Sequence, residues 1–128
     1  MQTYLAVILG GGLGSALRFW ISGLVARQWG ESFPLGTLVV NVTGSFAIGL
    51  FATLTSPDGR FLVSPTARTL FMVGICGGYT TFSSFSLQTL NLIRDGQWFY
   101  ASLNLLLSFV LCMLGVWLGQ ITAQAFNR

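Results

Sequence analysis

The wide spacing of the charged residues constrains the fold of this chain more than any motif does. Residues 32–57, 69–93 and 96–127 contain no charged side chain, and the chain before Arg18 is uncharged as well. A helix needs ~20 consecutive apolar residues to cross the hydrocarbon core of a bilayer. The three long stretches meet this requirement, and the first meets it if its helix continues to about Val25. The chain is therefore predicted to be an all-α membrane protein with four transmembrane helices.

The composition excludes a water-soluble globule and several classes of site. Only 7% of the residues are charged, whereas a soluble domain carries about 25%. The net charge of +3 comes from dispersed arginines, so there is no basic run for nucleic acid. Cys76 and Cys112 fall inside predicted spans, where no disulfide framework is expected, and the chain has no histidine. Because the N-terminus lacks a basic region before its apolar stretch, we expect Met1 to be retained rather than lost with a signal peptide.

Proline and aromatic residues mark the ends of the predicted spans. Pro34 and Pro65 stand where the second and third helices begin, a position that suits proline. Trp98 and Tyr100 form an aromatic cluster typical of a membrane interface at the start of the fourth. The loops are too short for an extramembrane domain, so residues 1–128 form a single transmembrane domain. Its helices are predicted at about 3–25, 35–55, 66–93 and 97–126.

The loop arginines are nearly balanced across the predicted membrane. Arg60, Arg68 and Arg128 fall on one side, and Arg27 and Arg94 on the other. An excess of lysine and arginine normally marks the cytoplasmic side. So weak a bias predicts insertion in both orientations, and hence an antiparallel, dual-topology homodimer. Four short helices are also few to enclose a selective path alone.

The third span contains the most unusual segment of the chain, Gly77–Ser86, with the sequence GGYTTFSSFS. Paired glycines followed by several hydroxyl residues are poor material for a helix that faces lipid. Non-helical backbone at membrane depth is tolerated only where protein or a water-filled cavity surrounds it. The third helix is therefore predicted to be broken at its middle, near Gly77 to Thr81. Broken membrane helices present carbonyl and N–H groups to ions, which makes this segment the leading candidate site.

Two aromatic residues follow the predicted break. Phe82 and Phe85 are three positions apart and so share one helical face. An aromatic ring has a positive edge, which can bind a small anion weakly, and weak binding suits conduction. The same pair could instead pack a dimer interface, and the residue pattern leaves both interpretations open.

Other polar residues also fall at membrane depth. Asn41 in the second span could line a pathway or join two helices by hydrogen bonds. Tyr100, Asn104 and Ser108 recur at intervals of four and form one helical stripe, which Cys112 continues. This stripe could be a hydrated track or a line of hydrogen bonds between helices.

Ionisable groups inside the membrane indicate function by default. Arg18 is the charge within a span, and near a helix end it can extend to the interface, so we expect a vestibule or structural role.

Glu31, Asp58 and Asp95 all lie in predicted loops. An alternative function, a dual-topology exporter of small molecules or cations, generally needs a titratable carboxylate inside the membrane, and an enzyme needs positioned acids or bases. Neither requirement is met, because no acidic residue falls within a predicted span. The exporter is therefore the less favoured alternative, and the chain is not expected to be an enzyme.

The motifs resemble those of the Fluc (CrcB) family of small bacterial fluoride channels, and the resemblance covers essentially the whole chain. The matching segments are Gly10 and Gly11 with Arg18, Gly36–Asn41 with the sequence GTLVVN, and Gly77–Ser86. The resemblance implies a passive, fluoride-selective ion channel, multi-pass in the bacterial inner membrane. Such a channel exports cytoplasmic fluoride and lowers its toxicity.

The resemblance also implies how the site is built. It implies an antiparallel homodimer with two pores, in which fluoride meets the two phenylalanines and the asparagine amide. A structural sodium ion at the dimer interface would be held by the backbone carbonyls of Gly77 and Thr80 from both subunits. Cys112 stands where the family's hydroxyl track would continue. The candidate pore residues are Phe82, Phe85, Asn41, Ser108, Thr81, Ser83 and Ser84, with Arg18 in the vestibule.

Overall fold

Helices make up nearly the whole chain, and there is no β-strand. The computed structural model describes all 128 residues. Four segments are long and apolar enough to cross a membrane, which confirms the predicted all-α chain with four spans. The helices are α1 (Gln2–Trp29), α2 (Leu35–Leu54), α3 (Pro65–Thr69), α4 (Gly77–Tyr79), α5 (Phe82–Arg94) and α6 (Trp98–Asn127), with a π-helical segment, Leu70–Cys76, between α3 and α4.

Helix α1 is longer than the sequence suggested. It was expected to end at about Val25, but it continues to Trp29 and stops at Gly30, whose φ of 79° an L side chain rarely adopts. Arg27, which the sequence pattern places in a loop, therefore lies in the last helical turn. A positive charge at this end is favourable because the helix dipole is negative there.

The third span, Pro65–Arg94, departs from regular α-helix in two places. Its first half contains the π-helical segment, which the sequence did not predict. At its middle, Thr80 (φ −83°, ψ 158°) and Thr81 (φ −152°, ψ 122°) have extended backbones. Helix α5 begins directly afterwards, and the Thr81 side chain caps it by accepting a hydrogen bond from the backbone N–H of Ser84.

Small residues let the helices pack closely in two pairs. Helix α2 packs along α6, and α1 packs along the first half of the third span. A Cβ added at Gly14 would collide with the carbonyl oxygen of Ile75 and lie 2.8 Å from the backbone N of Tyr79. Glycines of this kind allow backbones to approach where no side chain fits. They fix the position of the third span against α1.

Most apolar side chains point outward. Only 23 of 128 residues are buried, and large residues such as Leu9 and Phe109 are mainly exposed. This arrangement suits a chain whose solvent is lipid rather than water. Exposed Trp29 and Trp98 lie at helix ends, where aromatic rings favour the membrane interface. The chain is a multi-pass membrane protein.

Candidate functional site

A groove with a volume of about 630 Å³ runs between α2, the third span and α6. Most of the lining residues are apolar or small, and none carries a formal charge. The groove brings together most of the residues that the sequence singled out. These are Asn41, Gly77, Thr80, Thr81, Phe82, Phe85 and Ser108.

Asn41 holds the extended backbone at the middle of the third span. Its Nδ2 donates to the carbonyl oxygen of Thr81 at 2.9 Å, and the Thr81 N–H donates to its Oδ1 at 2.7 Å. In a continuous α-helix this N–H would donate to the carbonyl of Gly77, four residues earlier. Asn41 therefore supplies the bonds that the helix loses, and the Gly77 carbonyl is released from that helical partner. The side chain both joins two helices and lines the groove.

The two phenylalanines occupy different environments. Their ring centroids are 5.4 Å apart and the ring planes are inclined by 54°, a tilted arrangement that aromatic rings favour. Phe82 is 78% exposed, whereas Phe85 is 9% exposed. Phe85 belongs to the packed core, and Phe82 presents most of its ring at the open side of the groove.

A ladder of buried hydrogen bonds connects α6 to α5 at one end of the groove. Ser108 Oγ donates to Asn104 Oδ1 at 3.4 Å, Asn104 Nδ2 donates to Thr89 Oγ1 at 2.9 Å, and Thr89 Oγ1 donates to the Phe85 carbonyl at 2.8 Å. The polar stripe of α6 thus joins two helices at Asn104, while Ser108 also reaches the groove. Sequence reasoning missed Thr89, although it lies one turn after Phe85 on the same face.

The remaining hydroxyls divide between the groove and other surroundings. Thr80 Oγ1 donates to the Cys76 carbonyl at 2.9 Å, so this hydroxyl is held by its own helix. Ser83 is exposed and lies 3.3 Å from Thr81 Oγ1, oxygen to oxygen. Neither Ser83 nor Ser84 is among the residues that line the groove.

A second, more polar cleft with a volume of about 1080 Å³ lies between α1, the connection to α2 and α5. It contains Arg18, half-buried, together with Ser84 and Gln88. The Gln88 Oε1 is buried and has no hydrogen-bond partner, a feature that sequence reasoning missed. Thr81 lines both this cleft and the groove. The two spaces therefore meet at the extended segment that Asn41 holds.

The usual metal-binding side chains are not clustered in the chain. No group of three or more His, Cys, Asp or Glu residues lies close enough together to hold a metal ion. Oxygen ligands in the groove would have to come from backbone carbonyls and hydroxyls, such as those of Gly77 and Thr80.

Comparisons with known proteins give a consistent result. The family model described as "CrcB-like protein, Camphor Resistance (CrcB)" matches residues 5–120. A fluoride-specific ion channel FluC of Opitutus terrae is 61% identical over 99% of this chain and 96% of that protein. Proteins with the same name are 59% identical in Rhodospirillum rubrum, over 99% of this chain and 98% of the relative, and 58% identical in Paramagnetospirillum magneticum, over the full length of both.

Proposed function

Since the chain belongs to the CrcB family, we propose that it is a fluoride-selective passive ion channel that exports cytoplasmic fluoride and lowers its toxicity. The observation that carries this proposal is the identity of 58–61% with fluoride-specific channels over nearly the whole chain. The family is one of ion channels, so the chain is not an enzyme. Its membrane is the bacterial inner membrane, where such a channel returns the anion to the outside.

The groove is the proposed ion path. Several groups on the groove can present the weakly positive end of a dipole to an anion. They are the ring edges of Phe82 and Phe85, the Asn41 amide and the Ser108 hydroxyl. No charged residue lines the groove, so nothing there would hold the anion as tightly as a buried arginine would. Binding that is strong enough for entry and weak enough for release is the condition for conduction.

The polar cleft is the proposed vestibule. Arg18 lies there rather than in the groove, so its charge attracts the anion without trapping it in the narrow part. The shared residue Thr81 supports a route from the cleft into the groove. Ser84 lines the cleft and Ser83 lies beside the Thr81 hydroxyl; these hydroxyls are proposed contacts at the entrance.

The functional unit is proposed to be an antiparallel, dual-topology homodimer with two pores. One copy leaves the path open on one side, where Phe82 is 78% exposed. A second copy would supply the opposite wall. The near balance of the loop arginines supports opposite orientations of the two copies.

A structural sodium ion is proposed at the centre of this dimer. The backbone geometry supports a sodium site, because the hydrogen bond from the Thr81 N–H to Asn41 frees the Gly77 carbonyl from its helical partner. Gly77 is exposed, and Thr80 lines the same groove. Carbonyl oxygens at an interrupted helix suit a hard cation such as Na⁺. The ion would join the interrupted helices of the two subunits.

Efflux from liposomes tests the proposed function. Purified protein is reconstituted into vesicles loaded with either potassium fluoride or potassium chloride, and release is followed with ion-selective electrodes after valinomycin is added. We expect rapid fluoride release and chloride release no faster than from protein-free vesicles. No fluoride release, or chloride release at an equal rate, would falsify the proposal.

A further inference from the structure

Sulfur-bearing side chains are concentrated in the groove. The chain has two cysteines and three methionines, and all of them except Met1 line this one space. Both cysteines are free thiols. The sulfur atoms come from two walls, since one pair lies on the π-helical segment and the other pair on α6. The four residues are Met72, Cys76, Cys112 and Met113.

We propose that the groove contains a binding site for a soft monovalent metal ion, Ag⁺ or Cu⁺. Thiolate and thioether ligands select soft ions, whereas hard ions prefer oxygen. The lining residues include no histidine and no carboxylate, so the side chains there do not favour zinc or a hard divalent ion. The site is distinct in chemistry from the proposed sodium site, which uses backbone oxygen.

The surroundings of each sulfur indicate which atoms bind. The Met72 Sδ lies 3.7 Å from the Arg68 Nη2, and a positive neighbour makes this sulfur a poor ligand for a cation. Cys76 and Cys112, which come from different elements but line the same groove, are therefore the proposed principal ligands, with the Met113 thioether as the third.

Binding is a ligand exchange and needs no oxidant or reductant. Each thiol gives its proton to the solvent as a bond forms between its Sγ and the metal. One ion and two thiols thus yield a bis-thiolate complex and two protons, and the metal keeps its oxidation state. The groove has a volume of about 630 Å³ and is open on one side, so a bare ion can enter it.

Occupancy of this site would obstruct the proposed pore, because Phe82, Phe85 and Ser108 line the same groove. This consequence rests on the proposed function, whereas the binding itself does not. Silver ions are therefore expected both to bind the chain and to stop fluoride efflux.

Silver binding to the detergent-solubilised protein tests the site directly. The buffer contains nitrate in place of chloride, which would precipitate silver, and bound metal is measured by equilibrium dialysis and elemental analysis. We expect roughly one tightly bound Ag⁺ per chain, and at least about a tenfold loss of affinity in the double variant Cys76→Ser and Cys112→Ser. The control Met72→Leu, which removes the groove sulfur that lies against Arg68, should bind as the unchanged protein does.

A titration of the unchanged protein keeps the test independent of how well the variants fold. Absorbance from silver–thiolate bonds in the ultraviolet should rise until roughly one equivalent of Ag⁺ is added and then level off, with release of protons. Absence of this signal, or equal binding by the double variant, overturns the site. Stoichiometric binding without any loss of fluoride efflux would instead contradict the assignment of the groove as the pore.

Discussion

At the scale of single residues, Asn41 explains how an extended segment persists at membrane depth. A buried N–H and carbonyl without partners cost several kcal/mol each in a lipid environment. The Asn41 amide has one donor and one acceptor in the correct arrangement for both Thr81 groups. Its role in stabilising the fold is therefore inseparable from its place on the groove.

Replacing Asn41 with leucine should destabilise the protein. The change keeps the volume of the side chain but leaves the Thr81 N–H and carbonyl unpaired, at a cost of about 1–3 kcal/mol for each group. Thermal unfolding in detergent should show a lower melting temperature, and fluoride efflux should fall with it. The matched change Asn91→Leu, at an exposed position of α5, should leave the melting temperature nearly unchanged. Equal melting temperatures for the two variants would contradict this account of Asn41.

The phenylalanines should separate stability from conduction. Phe85→Ile removes a buried ring and should cost about 1–3 kcal/mol, whereas Phe82→Ile alters an exposed ring and should cost less than about 0.5 kcal/mol. Both variants should conduct fluoride more slowly, because both lose a ring edge in the groove. Melting temperature and liposome efflux measure the two effects. If both variants kept full fluoride flux, the rings would only be packing the fold or an interface.

At the scale of elements, the sequence predicted some features and missed others for identifiable reasons. The four spans follow from the spacing of charges, and the candidate segment Gly77–Ser86 follows from its composition. The end of α1 was misplaced because nothing breaks the helix before Gly30. The bond from Asn104 to Thr89 depends on the relative rotation of α5 and α6, which a pattern along one helix does not specify. The π-helical segment packs against α1, and a pattern along one helix does not specify that contact either.

The glycines of α1 allow a direct test of helix packing. Gly14→Ala should force α1 away from the third span, since its Cβ would meet the Ile75 carbonyl and the Tyr79 N. We expect a loss of about 1–3 kcal/mol of stability. Gly12→Ala is the control, because its Cβ would meet no atom within 4 Å, and alanine should be neutral or stabilise the helix by up to about 1 kcal/mol. Thermal unfolding of both variants in detergent gives the comparison, and a Gly14 variant as stable as the control would contradict the packing account.

At the scale of the whole molecule, ion pathway and assembly are linked. The residues proposed for conduction lie on an open groove of one chain, and the aromatic ring of Phe82 projects from it. Helix packing within one copy brings these residues together, and the proposed second copy would close the path. The sequence bears on the second copy only indirectly, through the near balance of the loop arginines on the two sides of the predicted membrane.

Reporter proteins fused after Arg128 test the dual topology. If the chain inserts in both orientations, as proposed, a reporter active only in the cytoplasm and one active only outside should both give signal. Adding two arginines to the loop between Leu54 and Pro65 should shift the chain toward one orientation and reduce the yield of active dimer. A single orientation of the unchanged chain would contradict the antiparallel dimer.

The reversal potential of the purified protein in a planar bilayer tests the central claim, fluoride selectivity, most directly. With a tenfold gradient of fluoride and an opposing gradient of chloride, a fluoride-selective pore should reverse at the fluoride equilibrium potential, about 59 mV in magnitude. The current should persist when chloride is replaced by a larger anion. A reversal potential near the chloride value, or near zero, would contradict the account.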